Sequence, residues 1–300
     1  MVKQDMRYDE SVRVFLRYCR AKGLRETTNG IYRFALDELG KSLRATEENP
    51  PIPDRDDLRR FITEMLDREL ALSTIAIRMR SVKAFANFLE RDGITDTSPM
   101  EGVHIPRVPT RYPQPLSSEE TSKLIRAART GTWFGIRNSA MLSLFCDTGI
   151  RLGELVGLDI DDVRLSEFEI RIRKGKGRGE RSVYMGRTLY RALRKWSQVR
   201  PTAGLTEAYL CTRDGRRLDK RNVARIVERA GKSAGLEKRK THPTMLRHTY
   251  ATLFIKNGGN SFSLQRILGH SSIKTTMIYV NLAGSDLRDA HAKASPLDRL

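Results

Sequence analysis

The sequence predicts a mainly α fold in two domains, with a small β-hairpin or sheet in the second. Three observations point there. Apolar residues recur at helical spacing through the first hundred residues and again after Gly186. Prolines 99, 106, 109, 113 and 115 crowd one span that has no helical periodicity. One glycine-rich basic run joins two short β-prone segments. A length of 300 residues is also comfortable for two cores.

In the first domain, residues 1–103, Val12, Phe15, Leu16 and Cys19 form the first apolar stripe, closed by Gly23. Ile31, Phe34, Ala35 and Leu39 form the second, with Gly40 expected to stop it. Leu58, Phe61, Ile62, Met65 and Leu66 follow Pro53-Asp54 as the third. Ile75, Met79, Val82, Ala86 and Leu89 make the fourth, ended by Gly93. These stripes read as core. Arg78, Arg80 and Lys83 are expected on the opposite face of the fourth helix, either against DNA phosphates or simply solvated. Residues 104–116 read as a stiff, positively charged linker.

The second domain, residues 117–300, opens with Ser117 and Glu120, an S-x-x-E capping box ahead of Leu124 and Ile125. A helix around Ala140–Phe145 leads to Thr148-Gly149 and an amphipathic run from Arg151 to Leu158. Glu169–Arg173 and Ser182–Met185 are the two β-prone runs, joined by Lys174-Gly175-Lys176-Gly177-Arg178-Gly179. The remainder reads mostly helical, and residues 285–300 keep only a loose helical spacing, at Leu287, Ala290 and Ala294, before Pro296.

Charge narrows the function. There are 55 Lys and Arg against 36 Asp and Glu, a formal net charge of +19. Such a surplus argues for a polyanionic partner, nucleic acid first and an anionic membrane second. No run of about 18 apolar residues exists to span a bilayer, and the polar, mixed-charge Met1–Glu10 argues against a secretory signal. Cys19, Cys146 and Cys211 are far apart and odd in number, which supports neither a disulfide framework nor a zinc site and fits a reducing cytoplasm. G-x-x-x-x-G-K-[ST] is absent and the glycines lie between strands, so no nucleotide cofactor is expected.

Three features remain for chemistry. From Arg171 to Arg181 there are six basic side chains and one acid around a turn made tight by glycines, which suits the backbone of DNA; a solvated turn is the alternative. Arg151 and Arg247 sit among apolar residues, where a guanidinium needs a phosphate or a carboxylate. Glu154 lies one turn from Arg151 and is placed to orient it. Tyr279 follows Ile267-Leu268-Gly269-His270-Ser271-Ser272, and a lone tyrosine there is ordinarily a core residue.

Taken together, Thr148-Gly-Ile-Arg151-Leu-Gly-Glu154-Leu, Gly175-Lys176-Gly177, Leu246-Arg247-His248-Thr249-Tyr250-Ala251-Thr252 and Leu268-Gly269-His270 through Tyr279 resemble, in order and spacing, the tyrosine recombinases of the phage-integrase or Xer-like family. The resemblance spans residues 117 to 282, and the N-terminal helices look like that family's core-binding domain. It implies a C-shaped, two-domain clamp on double-stranded DNA that carries a specific recombination site. It implies a tetramer on DNA, with a C-terminal segment, here residues 284–300, docking on a neighbour. By the same resemblance Tyr279 is the nucleophile, Arg151 and Arg247 clamp the scissile phosphate, Lys176 is the general acid and His270 positions or stabilises the phosphate. The family usually has histidine three residues before the second arginine. Here that residue is Thr244, with His242 two residues earlier, so either fills that place.

The residue types suit the reaction. Two preplaced arginines stabilise the charge that builds on the non-bridging oxygens without a metal. A phenol with pKa near ~10 needs a cationic site or a base to lose its proton. A lysine serves as acid only if neighbouring positive charge brings its pKa closer to neutrality, and Arg173, Lys174 and Arg178 are nearby in sequence. A 3′-phosphotyrosine keeps the energy of the broken bond, so rejoining needs no ATP or cofactor. Two rivals share parts of this pattern: a type IB topoisomerase, and a non-catalytic DNA-binding protein of recombinase ancestry.

Overall fold

Four helices build the first half: α1 (Tyr8–Ala21), α2 (Glu26–Arg44), α3 (Arg55–Asp67) and α4 (Leu72–Arg91). The computed structural model describes residues 6–109, 112–173, 180–201, 207–284 and 295. The chain divides into two compact units, residues 1–110 and 111–300.

Each helix of the first unit buries one stripe, and α3 starts from a local signal. Asp54 accepts from the N–H groups of Asp56 and Asp57 while the Asp57 carboxylate accepts from Asp54 N–H, a reciprocal cap that begins α3. Tyr8, Val12, Phe15 and Cys19 of α1 pack on Ile75, Met79, Val82, Phe85 and Leu89 of α4 and on Leu36, Leu39 and Leu43 of α2 in one core. Each large side chain so buried stabilises by about 1.5–3 kcal/mol. The Tyr8 hydroxyl keeps a partner by donating to Leu36 O at 2.7 Å.

Three expectations are corrected here. Gly40 does not stop α2, which continues to Arg44. A Cβ there would lie 3.0 Å from the Tyr8 ring, so glycine lets α1 approach. Ile31 and Phe34 are about half exposed, and the buried stripe of α2 runs instead through Ala35, Leu36, Leu39 and Leu43. Arg78 is buried, not projecting: it pairs with Glu38 at 3.4 Å and lies 5.2 Å over the Phe34 ring. Arg80 and Lys83 remain exposed.

The second unit contains α5 (Ser118–Ala128), α6 (Trp133–Thr148), α7 (Leu152–Val156), β1 (Val163–Arg164), β2 (Glu169–Ile172), β3 (Arg181–Tyr184), α8 (Arg187–Val199), α9 (Lys220–Ser233), α10 (Pro243–Lys256), α11 (Ser261–Leu268) and α12 (Ile273–Ala283). The Ser117–Glu120 capping box starts α5 as the spacing predicts. Ala140, Met141, Leu142, Leu144 and Phe145 of α6 are all fully buried, so the middle of this helix packs around most of its circumference and forms the centre of the unit. The sheet is antiparallel in the order β1-β2-β3, with Ile170 opposite Val183 and Ile172 opposite Arg181. Ile170, Ile172 and Val183 alternate onto the core face. β1 adds a short third strand to the expected hairpin.

Between α4 and α5 the described residues contain no helix or strand. Val103 and Ile105 pack on the first core, and Leu116 on the second, with its N–H bonded to the Thr249 hydroxyl at 3.0 Å. A smaller cluster of Tyr250, Ala251, Leu264, Leu268 and Tyr279 joins α10, α11 and α12. That cluster seats the site.

Candidate active site

Two helix ends supply the frame. Helix α6 ends at Gly149 with φ +60°, and a Cβ there would fall 2.4 Å from a Tyr250 ring atom and 2.8 Å from Leu268. Only glycine fits both the left-handed backbone and the space. The turn makes Arg151 the residue before α7. Helix α11 ends the same way at Gly269, φ +63°. Carbonyls left unpaired at helix ends carry partial negative charge and seek donors. Here arginines provide them.

Arg247 enters from the first half of α10, whose start is set by His242 outside the helix and Pro243 in its first position. It is buried and donates from Nη1 to Gly149 O at 2.6 Å and from Nη2 to Leu268 O at 2.8 Å. Its Nη2 also lies 3.1 Å from His270 Nε2. The guanidinium has five donors, and these contacts use three. Burial, then the positive charges of Arg151 and Arg181, lower its pKa to about 10, which leaves it a cation at neutral pH.

Arg151 is held by Glu154. The carboxylate accepts from Arg151 N–H at 2.9 Å and from Nη1 at 3.0 Å, and Arg151 Nη2 reaches Gly269 O at 3.4 Å. The Arg151 side chain is nevertheless 42% exposed, so its outer edge is open to a ligand. Glu154 also takes a two-pronged contact from Arg181 of β3, both bonds at 2.8 Å, while Arg181 Nε donates to Ile267 O at 2.7 Å. Burial by itself would raise the Glu154 pKa. The hydrogen bonds and charge of Arg181, with those from Arg151, outweigh it and hold the carboxyl at about 2.

His270 completes the inner wall. Since Arg247 can only donate, His270 Nε2 must accept, which puts the ring proton on Nδ1, 3.0 Å from the buried Thr276 hydroxyl. Burial and the cations Arg247, Arg151 and Arg181 lower its pKa to about 4, so it is neutral at pH 7. Tyr279 of α12 lies beside it, with ring centroids 6.3 Å apart and planes 19° from parallel. The Tyr279 hydroxyl is 2.9 Å from His248 Nδ1. Burial raises the tyrosine pKa, and Arg247 and Arg151 act in the opposite sense. Burial also lowers the His248 pKa, with Arg247 and His242 adding to it.

Of the residues expected from sequence, Arg151, Arg247, His270 and Tyr279 share this one site. Lys176 lies outside the described residues. His242, just before α10, and Thr244, in its first turn, are both exposed, and the imidazole against Tyr279 is that of His248. Arg181, His248 and Thr276 were not anticipated as site residues. Arg181 had a signal in closing the basic hairpin. His248 had only its adjacency to Arg247, and neighbours in a helix point about 100° apart.

The arrangement is a pocket of fixed cations beside a phenol, suited to charge building on a phosphate. Comparison with known proteins agrees. Residues 114–285 match the model of the phage integrase family, and residues 11–93 that of the phage integrase N-terminal SAM-like domain. A tyrosine recombinase XerC of Chromohalobacter salexigens is 31% identical over 271 residues, covering 89% of this chain and 90% of the relative. The crystal structure of XerA recombinase is 28% identical, with TM-score 0.54 over 96% of this chain and 99% of that one. The Tn1549 transposon integrase, solved with a circular intermediate DNA, is 20% identical and shares the fold at TM-score 0.75, covering 97% and 99%. Among the described residues no helix is long and apolar enough to cross a membrane. With both its halves matched and Arg151, Arg247, His270 and Tyr279 in one site, the chain belongs to the phage integrase family, the site-specific tyrosine recombinases that cut and rejoin DNA.

Proposed function

We propose that this recombinase cleaves duplex DNA by attack of the Tyr279 phenolic oxygen on a phosphate held by Arg151 and Arg247, leaving a 3′-phosphotyrosine. The observation that carries it is the locking of Arg247 by the Gly149 and Leu268 carbonyls next to Tyr279, His270 and the open edge of Arg151. As the Oη–P bond forms and the P–O5′ bond breaks, charge on the non-bridging oxygens meets guanidiniums already in place, so no reorganisation is needed. Lys176 protonates the leaving 5′ oxygen. His270, neutral and fixed by Thr276, orients Arg247 and the phosphate.

Attack by the freed 5′ hydroxyl of a second duplex reverses the chemistry and exchanges strands between two specific sites. The helical first unit and the second unit, joined by the linker at 104–116, both bind the duplex. A tetramer on DNA performs the exchange in the cytoplasm; the segment expected to dock on a neighbour, 284–300, lies outside the described residues except at 284 and 295. The DNA in the Tn1549 integrase structure, and the dimer on a core site in a λ integrase structure, support a DNA-bound oligomer.

The test uses a duplex selected by the protein from a random pool and then nicked beside the cleavage position. Wild type traps a covalent adduct on a denaturing gel, and Tyr279→Phe binds the duplex but traps none. An adduct in the Phe variant removes Tyr279 from the mechanism. A wild type that binds its selected site and traps no adduct favours a non-catalytic DNA-binding protein, motivated by Thr244.

A further inference from the structure

Tyr279 must lose a proton to become a nucleophile, and the residue three before Arg247 is Thr244. A threonine hydroxyl is no base near neutral pH, and Thr244 is exposed. The described histidines of the second unit divide cleanly. His242 is exposed at the start of α10. His270 has both ring nitrogens engaged, one by Arg247 and one by Thr276. His248 presents Nδ1 to the Tyr279 hydroxyl at 2.9 Å.

We propose that His248 is the proton acceptor for Tyr279, doing from the position after Arg247 what the hydroxyl of Thr244 cannot do. The inference rests on Tyr279 as the nucleophile. As Oη bonds to phosphorus, its O–H bond breaks and the proton passes to His248 Nδ1. The P–O5′ electron pair leaves with O5′, which takes its proton from the leaving-group acid. In the rejoining step the incoming 5′ hydroxyl gives up its proton and His248 returns one to Tyr279, so no proton is gained or lost over a cycle.

The surroundings suit the task. His248 is neutral at rest because burial, Arg247 and His242 all disfavour its charged form, so its lone pair is available. The bound phosphate supplies the negative charge that offsets Arg247 when the imidazolium forms. Other groups near α10 do not compete: His270 before α12 is itself held neutral, and Asp147 at the end of α6 acts on Tyr250.

His248→Asn tests it, since Asn Oδ1 replaces Nδ1 as an acceptor from Tyr279 but cannot keep a proton. Single-turnover adduct formation is measured against pH on the nicked duplex and on the same duplex with a 5′-bridging sulfur, a leaving group that needs no acid. Expected is a drop on the order of 100-fold on both substrates, with loss of the acid-side decline that wild type shows below the ordinary imidazole range. A wild-type rate in His248→Asn overturns the proposal, as does rescue by sulfur, which would place His248 in the leaving-group step. Should His248→Asn fail to bind DNA, His248→Gln and the wild-type profile decide: a wild-type rate with no acid-side decline also overturns it. An adduct surviving Tyr279→Phe defeats the nucleophile assignment and this inference together. An adduct that needs Tyr279 but ignores His248 defeats this inference alone.

Discussion

Glu154→Gln removes the one carboxylate that Arg151 and Arg181 share. The native group is mostly buried, with its pKa held from the ordinary 4.5 down to about 2 by Arg181 and Arg151 against the cost of burial. That depression is worth about 3 kcal/mol at neutral pH. A depressed carboxyl stabilises fully above its unfolded value and loses that stabilisation as pH falls through the folded one. The gap between wild type and variant should therefore be near 3 kcal/mol at pH 7 and about 1 kcal/mol smaller by about pH 3.5. Denaturant unfolding followed by tryptophan fluorescence reads this directly. Both tryptophans, Trp133 and Trp196, lie in the second unit with ring centroids 5.2 Å apart, so the signal reports that unit and not the first. A loss below about 1 kcal/mol, or a gap that does not narrow with acid, refutes the idea that the paired carboxylate holds the site together.

Arg247→Ala should cut adduct formation by about 10²–10³-fold in single-turnover assays while DNA affinity in gel shifts changes far less, because one phosphate contact among many is lost. Gly149→Ala should destabilise the second unit by about 2–5 kcal/mol, from the left-handed backbone plus overpacking, in the same fluorescence assay. Thr244→His should keep the cleavage rate within about threefold of wild type, since His248 already contacts Tyr279; a complete loss would show that the first turn of α10 packs differently around DNA.

Much of the site was legible because each motif is a local device. A helix around Ala140–Phe145 is expected to lead to Thr148-Gly149, and α6 does end there, with Gly149 in the left-handed region. Arg151 and Arg247 read as arginines needing partners, and Glu154 as the partner of Arg151. The same local reading misplaced Gly40, Ile31, Phe34 and Arg78. Periodicity identifies an apolar face but not how closely the next helix approaches it, and that distance makes Gly40 a packing residue and Arg78 a buried ion pair.

By itself the sequence determined most of the helical stripes, the basic charge and the pairing of Arg151 with Glu154, because each is written within one or two turns of chain, whereas His270 and Tyr279 stood out only through the resemblance of several motifs in order. Only the tertiary structure decided which carbonyls hold Arg247, that Arg181 reaches Glu154 across 27 residues and that His248 meets Tyr279 across 31. Those contacts depend on the rotation and spacing of packed helices, which chain-distant residues set jointly and no local pattern encodes.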